Sequence, residues 1–101
     1  MDNKVELFID RCLHKFDAKI QMDILEEECA ELIKACSKLK RNDMFDSKNY
    51  KKLRENLIEE MSHVYISSLI VAKLFGIEKE DILLEIDKKN KEYGWIPKDE
   101  I

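Results

Sequence analysis

Apolar residues recur along most of the chain at steps of three and four residues, which is the period of an amphipathic α-helix. Short breaks divide this pattern, and it predicts four helices over residues 3–16, 19–41, 47–75 and 78–93. A glycine stands just after the third and the fourth helix, where glycine commonly ends a helix in the left-handed conformation. We therefore expect an all-α fold in which four helices form an up-down bundle.

The second and third helices carry the longest apolar seams, each with alternating steps of four and three residues. The predicted seam residues of the second helix are Leu25, Cys29, Leu32, Cys36 and Leu39. Those of the third helix are Leu53, Leu57, Met61, Val64, Ser68, Val71 and Phe75. In the fourth helix, Ile82, Leu83 and Ile86 are expected to form a buried stripe.

Between Val64 and Phe75 the third helix is apolar on nearly every face, as helices that are buried on all sides are. A chain of 101 residues has few helices of its own to cover this surface. We therefore expect part of it to meet a second subunit. The apolar tail Trp95–Pro97 is expected to pack on the bundle or on a partner.

Length and composition limit the class of protein. The length predicts a single domain over residues 1–101. With 45% hydrophobic and 40% charged residues, the chain is too apolar for a disordered protein and too charged for a membrane span. The net charge is −4, and the scattered basic residues give no footprint of nucleic-acid binding. Because the N-terminus lacks the pattern of a signal peptide, we expect a cytoplasmic protein.

The three cysteines are Cys12, Cys29 and Cys36. Their odd number and the absence of a CxxC pair argue against a disulfide framework. Cys29 and Cys36 lie seven residues apart on one helical face, so we expect buried, reduced thiols.

Two pairs of polar residues border the apolar faces of the long helices. Glu28 and Glu31 lie three residues apart on the second helix, and Glu60 and His63 have the same spacing on the third. Helices packed along their seams would bring these side chains close together. Close carboxylates repel each other, and a divalent cation such as Mg²⁺ or Mn²⁺ relieves the repulsion. On periodicity alone, solvated glutamates that pair with residues such as Lys34 are the commoner arrangement.

These residues carry a family resemblance. Glu27, Glu28 and Glu31 match an EExxE motif, and Glu60 matches the glutamate of an ExxD motif on the next long helix. In this arrangement the chain resembles the MazG-like and dimeric dUTPase-like superfamily of all-α nucleoside triphosphate pyrophosphatases. Together with the last helix, the resemblance covers about three-quarters of the chain.

The resemblance implies hydrolysis of a nucleoside triphosphate between its α- and β-phosphates, with Mg²⁺ or alternatively Mn²⁺ as the cofactor. It implies Glu28, Glu31, Glu60 and His63 as metal ligands. Glu27 and Glu28 would have catalytic roles together with His63. Glu27 would either support the metal ligands or assist the attacking water. The implied assembly is a homodimer or a dimer of dimers.

The resemblance also implies that the last helix approaches the nucleotide through a lysine and an asparagine. Asn90 is the candidate asparagine, Lys88, Lys89 and Lys91 are the candidate lysines, and Asp87 lies beside them. These residues are the expected substrate contacts.

One position departs from the motif, because His63 stands where the family has aspartate. Imidazole is a neutral ligand that suits Zn, Mn, Ni or Cu better than Mg. His63 would then ligate a metal with altered preference, act as a base or phosphate contact, or mark a site that has lost catalysis. The spacer between the half-motifs is also long, and its polar part, residues 42–49, is a candidate substrate lid.

Three hypotheses follow. The first is a metal-dependent enzyme that converts a (d)NTP to the monophosphate and pyrophosphate. The second is a MazG-like nucleotide or metal binder whose chemistry His63 has weakened. The third is a structural helical dimer whose glutamates are solvated. The sequence does not identify the nucleotide.

Overall fold

The computed structural model of this chain describes residues 3–42 and 48–100, and it confirms the all-α class. Over these residues the chain forms four α-helices, a short 3₁₀ turn and no strand. The helices are α1 (Asn3–Lys15), α2 (Ala18–Arg41), α3 (Tyr50–Leu74) and α4 (Lys79–Tyr93), and the 3₁₀ turn is Lys98–Glu100. The predicted helix ends differ from these bounds by at most three residues. The predicted lid falls largely on residues 43–47, which lie outside the described residues.

Local signals explain where the helices begin and end. The Asp17 side chain caps α2 by accepting a hydrogen bond of 2.9 Å from the backbone amide of Ile20. Glu78 and Asp81 form a reciprocal capping box at the start of α4. Gly76 and Gly94 adopt φ angles of +63° and +66° after α3 and α4, a conformation that costs glycine little.

Helices α2 and α3 pack side by side as an antiparallel hairpin, and α1 lies against α3. Asp10 of α1 forms an ion pair of 3.2 Å with Lys73 of α3. The buried side chain of Gln21 donates a hydrogen bond of 2.9 Å to the carbonyl oxygen of Cys12, which ties α2 to the end of α1.

The packed faces of α2 and α3 are rotated relative to the predicted seams. In α2, Leu25, Leu32 and Leu39 are half-buried as predicted, but Glu28 and the buried Ala35 complete the face. Cys29 and Cys36 are exposed, so the prediction of buried thiols at these two positions was wrong. Cys12 is half-buried, and all three cysteines are free.

The same rotation occurs in α3, where Glu60, Ser67 and Ile70 lie on the packed face. The predicted seam residues Met61, Ser68 and Phe75 are exposed instead. Ala35 and Ser67 are small, and small side chains on packed faces let two helices approach each other closely. The prediction chose the most apolar stripe because burying a carboxylate is costly.

Helix α4 makes no extensive packing contact with the other helices. Ile82, Leu83 and Ile86 are exposed, so their predicted burial does not occur within the chain. The radius of gyration is 17.1 Å, whereas a compact domain of this length has about 13 Å. Within the described ranges, no helix is both long and apolar enough to cross a membrane.

Candidate metal centre

The candidate site lies midway along the α2–α3 hairpin. Glu28 projects from α2, and Glu60 and His63 project from neighbouring turns of α3. Because residues three apart share one side of a helix, Glu60 and His63 face α2 together. The rotation of both packed faces turns Glu28 toward them. We call this group the Glu28–Glu60–His63 cluster.

The three side chains converge at short distances. Nδ1 of His63 lies 3.0 Å from Oε2 of Glu28 and 3.8 Å from Oε2 of Glu60. One potential ligand atom from each residue lies within 4.8 Å of the other two. Two carboxylate oxygens and an imidazole nitrogen are ligands that Mn²⁺ and Zn²⁺ accept in proteins.

Burial decreases from the inside of the cluster toward its mouth. The side chains of Glu60, Glu28 and His63 are 14%, 24% and 46% exposed. The Oε2 atoms of Glu28 and Glu60 are fully buried, and neither has a hydrogen-bond partner within the described structure. The 3.0 Å approach of His63 to Glu28 is an ion-pair distance without hydrogen-bond geometry. Such orphaned acceptors are rare in folded proteins and require a compensating group.

Electrostatics indicate what that group is. At a separation of no more than 4.8 Å, two carboxylate charges repel by about 3 kcal/mol or more at an effective dielectric constant of ~20. A protonated His63 would offset part of this repulsion, and a divalent cation would offset more while also binding the orphaned oxygens. The donor set therefore fits a divalent cation.

The remaining acidic residues predicted for the site lie outside the cluster. Glu31 is exposed and forms an ion pair of 3.3 Å with Lys34, which is the solvated arrangement expected for ordinary helix glutamates. Glu27 is also exposed. The EExxE motif therefore contributes one side chain, Glu28, to the cluster.

The structure does not bring the predicted substrate contacts of α4 to the cluster. Asp87, Lys88 and Lys91 are exposed, and Lys88 pairs with Glu85 at 3.0 Å. The side-chain amide of Asn90 donates a hydrogen bond to the carbonyl oxygen of Ile96 and accepts one from its backbone amide.

A groove at the loop end of the hairpin was not predicted from the sequence. It has a volume of about 360 Å³ and is lined by Lys38, Asn49, Lys52, Leu53 and Asn56. We call it the lysine groove. Lys52, Asn56 and Glu60 follow each other at steps of four on α3, so the groove begins about one helical turn, or ~6 Å, from Glu60. The four-residue spacing of Lys52, Asn56 and Glu60 is the sequence signal from which the groove could have been predicted.

Comparisons with protein-family models, with curated proteins and with solved structures found no match. The fold and the site therefore define the class of protein by themselves. It is an all-α protein whose central helical hairpin carries a partly buried cluster of two carboxylates and an imidazole.

Proposed function

We propose that this protein is a metal-dependent nucleoside triphosphate pyrophosphohydrolase of the MazG-like type, which hydrolyses a (d)NTP to the monophosphate and pyrophosphate. The observation that carries the proposal is the pair of orphaned carboxylate oxygens of Glu28 and Glu60, two residues that form one group of potential metal ligands with His63. The reaction is inferred from the resemblance of the EExxE and ExxH half-motifs on consecutive long helices.

Each cluster residue has a defined role in this proposal. Glu28 and Glu60 would hold the cation through carboxylate oxygens, and His63 would close the site on its solvent side. When bound, Mg²⁺ or Mn²⁺ neutralises phosphate charge and activates a water molecule. Glu31 lies one turn from Glu28 and is the proposed fourth ligand. Exposed ion pairs such as Glu31–Lys34 are worth less than about 1 kcal/mol, so Glu31 can exchange its partner easily.

The lysine groove supports binding of a phosphate chain. Lys38 and Lys52 bring positive charge to the groove from opposite helices, and Asn56 adds amide donors next to the cluster. Cationic groups near a metal centre compensate the charge of a triphosphate. Glu27 remains the proposed residue that orients the attacking water.

A homo-oligomer, either a dimer or a dimer of dimers, is the proposed working form. Large apolar side chains remain exposed on α3 and α4, and the chain is more extended than a compact domain. The proposed nucleoside contacts Lys88, Lys91 and Asp87 lie on α4, so assembly is the step that would bring α4 to a site. The amide of Asn90, the fourth expected contact, is held by the backbone of Ile96.

One observation favours a second candidate function, a nucleotide or metal binder with little turnover. His63 fills the position of the fourth carboxylate and lies 3.0 Å from Glu28. An imidazole there lowers the negative charge of the site and weakens its preference for Mg²⁺. This candidate predicts binding of metal and nucleotide without release of pyrophosphate.

The test is pyrophosphate release from a panel of NTPs and dNTPs with Mg²⁺ or Mn²⁺. We expect metal-dependent release by the wild type and a loss of at least about 100-fold in Glu60→Gln, because a buried ligand charge is removed. Glu59→Gln is the matched control, since Glu59 is the adjacent glutamate and is exposed. Release from no nucleotide with either metal would rule out the enzyme, and metal binding would then separate the second candidate from a structural dimer.

A further inference from the structure

The segment after α4 folds back as a fixed hook. The Asn90 side chain accepts a hydrogen bond of 2.6 Å from the amide of Ile96 and donates one of 3.1 Å to the carbonyl oxygen of Ile96. Gly94, in the left-handed conformation, allows the reversal of direction. The rings of Tyr93 and Trp95 stack with centroids 4.8 Å apart and planes 16° from parallel. We call residues 94–96 the C-terminal hook.

The hook presents its largest side chain to solvent. Trp95 is 76% exposed, although its position is fixed by the stack on Tyr93 and by the two hydrogen bonds between Asn90 and Ile96, which we call the Asn90 clamp. An ordered aromatic side chain loses little further conformational entropy when it docks, and tryptophan is enriched among residues that dominate binding energy. The hook therefore has the properties of a docking element.

An apolar stripe of α4 continues into the hook. Ile82, Ile86 and Tyr93 lie on one side of α4 at helical spacing, and each is about half exposed. We call these residues the α4 stripe. A comparable row on α3, the open face of Ile58, Met61 and Tyr65, also points away from α2 and is exposed.

The exposed area indicates how large an interface the chain could form. The accessible surface of the chain is 8606 Å², whereas a folded monomer of this mass exposes about 6,000 Å². The excess of about 2,600 Å² per chain, or about 5,200 Å² over two chains, reaches the upper end of the range for obligate interfaces between subunits, which bury about 2,000–5,000 Å² or more in total over both partners.

We propose that the α4 stripe and the C-terminal hook dock on the open face of α3 in a second copy of this chain. In a two-fold dimer this contact forms twice, once from each chain. Asn90 is then a positioning residue, because it holds Trp95 in the docking geometry. The inference deepens the homo-oligomer of the proposed function, and it does not depend on hydrolysis.

Trp95 is the single tryptophan of the chain, so tryptophan emission, excited selectively, reports on the surroundings of the hook. The full-length protein is diluted, without nucleotide or metal, while sedimentation and tryptophan emission are recorded together. We expect a dimer with blue-shifted emission at high concentration, and a shift to longer wavelength over the same range in which the dimer dissociates. A chain that stays monomeric up to millimolar concentration would overturn the proposal.

Variants on both sides of the contact sharpen the test. Trp95→Ala and Tyr65→Glu are expected to raise the dimer dissociation constant by about 30-fold or more, as loss of a central aromatic residue does. Leu84→Ala is the matched control, because Leu84 is equally exposed but lies on the opposite side of α4, and its dissociation constant should stay within about twofold. A dimer unaffected by Trp95→Ala or by Tyr65→Glu would also refute the docking.

Asn90→Ala tests the positioning role. It should raise the dissociation constant by about tenfold and weaken the near-ultraviolet circular dichroism of the Tyr93–Trp95 stack, while the far-ultraviolet spectrum keeps its helical content. An unchanged near-ultraviolet spectrum would contradict the clamp. Because these readouts need no substrate, a monomer that releases pyrophosphate would refute both the docking and the homo-oligomeric working form, and would leave the proposed reaction standing.

Discussion

At the scale of single residues, the acidic side chains of α2 differ more than their shared motif suggests. Glu28 is mostly buried with an orphaned oxygen, whereas Glu31, three residues later, is exposed and paired with Lys34. A rotation of the helix by less than one residue step decides which glutamate faces α3, since each step turns the helix by about 100°. The chemistry of the site is therefore a property of orientation as well as of residue type.

The orphaned oxygens predict an unusual response to Glu60→Gln. Without metal, the neutral amide removes the repulsion from Glu28, so the melting temperature should equal or exceed that of the wild type by a few degrees, or about 1 kcal/mol. Mn²⁺ should raise the melting temperature of the wild type but not that of the variant. Thermal denaturation with and without Mn²⁺ makes the comparison.

Glu59→Gln is the control for this measurement and should keep the response to Mn²⁺. Equal stabilisation of the wild type and Glu60→Gln by the metal would place the metal elsewhere on the chain.

His63 predicts the metal preference of the site. We expect the wild type to work better with Mn²⁺ than with Mg²⁺, because imidazole suits Mn²⁺ better. His63→Asp adds a fourth carboxylate to Glu28, Glu31 and Glu60 and should raise Mg²⁺-supported pyrophosphate release by about tenfold or more. Ser62→Asp adds the same charge at the neighbouring exposed position and should have little effect. Lower release from His63→Asp would show that the imidazole itself takes part in the reaction.

At the scale of helices, the chain depends on local end signals because its tertiary contacts are few. Ile9, Ala35 and Ile70 are the buried apolar residues of the described core, and Gln21 and Ser67 are its buried polar residues. A core this small contributes little stability, since burial of a whole side chain is worth about 1.5–3 kcal/mol. A helix cap, worth about 1 kcal/mol, is therefore a measurable part of the stability.

The cap of α2 provides a test at this scale. Asp17→Ala removes the hydrogen bond to the Ile20 amide and should lower the free energy of unfolding by about 1 kcal/mol. Urea denaturation measures the change. Asp23→Ala is the control, because Asp23 is exposed in the interior of α2 and should change stability by less than about 0.5 kcal/mol. Equal effects of the two substitutions would contradict a capping role.

At the scale of the whole molecule, the hairpin and α1 form the packed part, and α4 extends its apolar side to solvent. This arrangement leaves the predicted four-helix bundle incomplete within one chain. Two copies that exchange contacts between α4 and α3 would cover the exposed side chains and complete the helical packing. Folding and assembly would then be linked.

Linked folding and assembly predict a melting temperature that depends on protein concentration. A hundredfold increase in concentration stabilises a dimer by about 2.7 kcal/mol, which should raise the melting temperature by on the order of 5 °C. Calorimetry over that concentration range measures the shift. The same melting temperature at every concentration would show that the isolated chain is a stable folded unit.

The sequence by itself determined the local structure of this protein. Residues within about four positions of each other determine the four helices and their ends near Gly76 and Gly94. They also determine that Glu28 and Glu31, like Glu60 and His63, share one side of a helix. Helical hydrogen bonds and end signals act over that range, so periodicity and turn residues are sufficient to predict them.

The tertiary structure alone decided which faces of the helices meet. It turned Glu28 inward and left Cys29 and Cys36 exposed, it separated Glu31 from the cluster, and it bound Asn90 to Ile96. The helix rotations depend on close packing between residues far apart in the chain, and the small residues Ala35 and Ser67 are buried on the packed faces. The hydrogen bonds between Asn90 and Ile96 depend on a reversal of the chain after α4. Helical periodicity predicts neither the helix rotations nor this reversal.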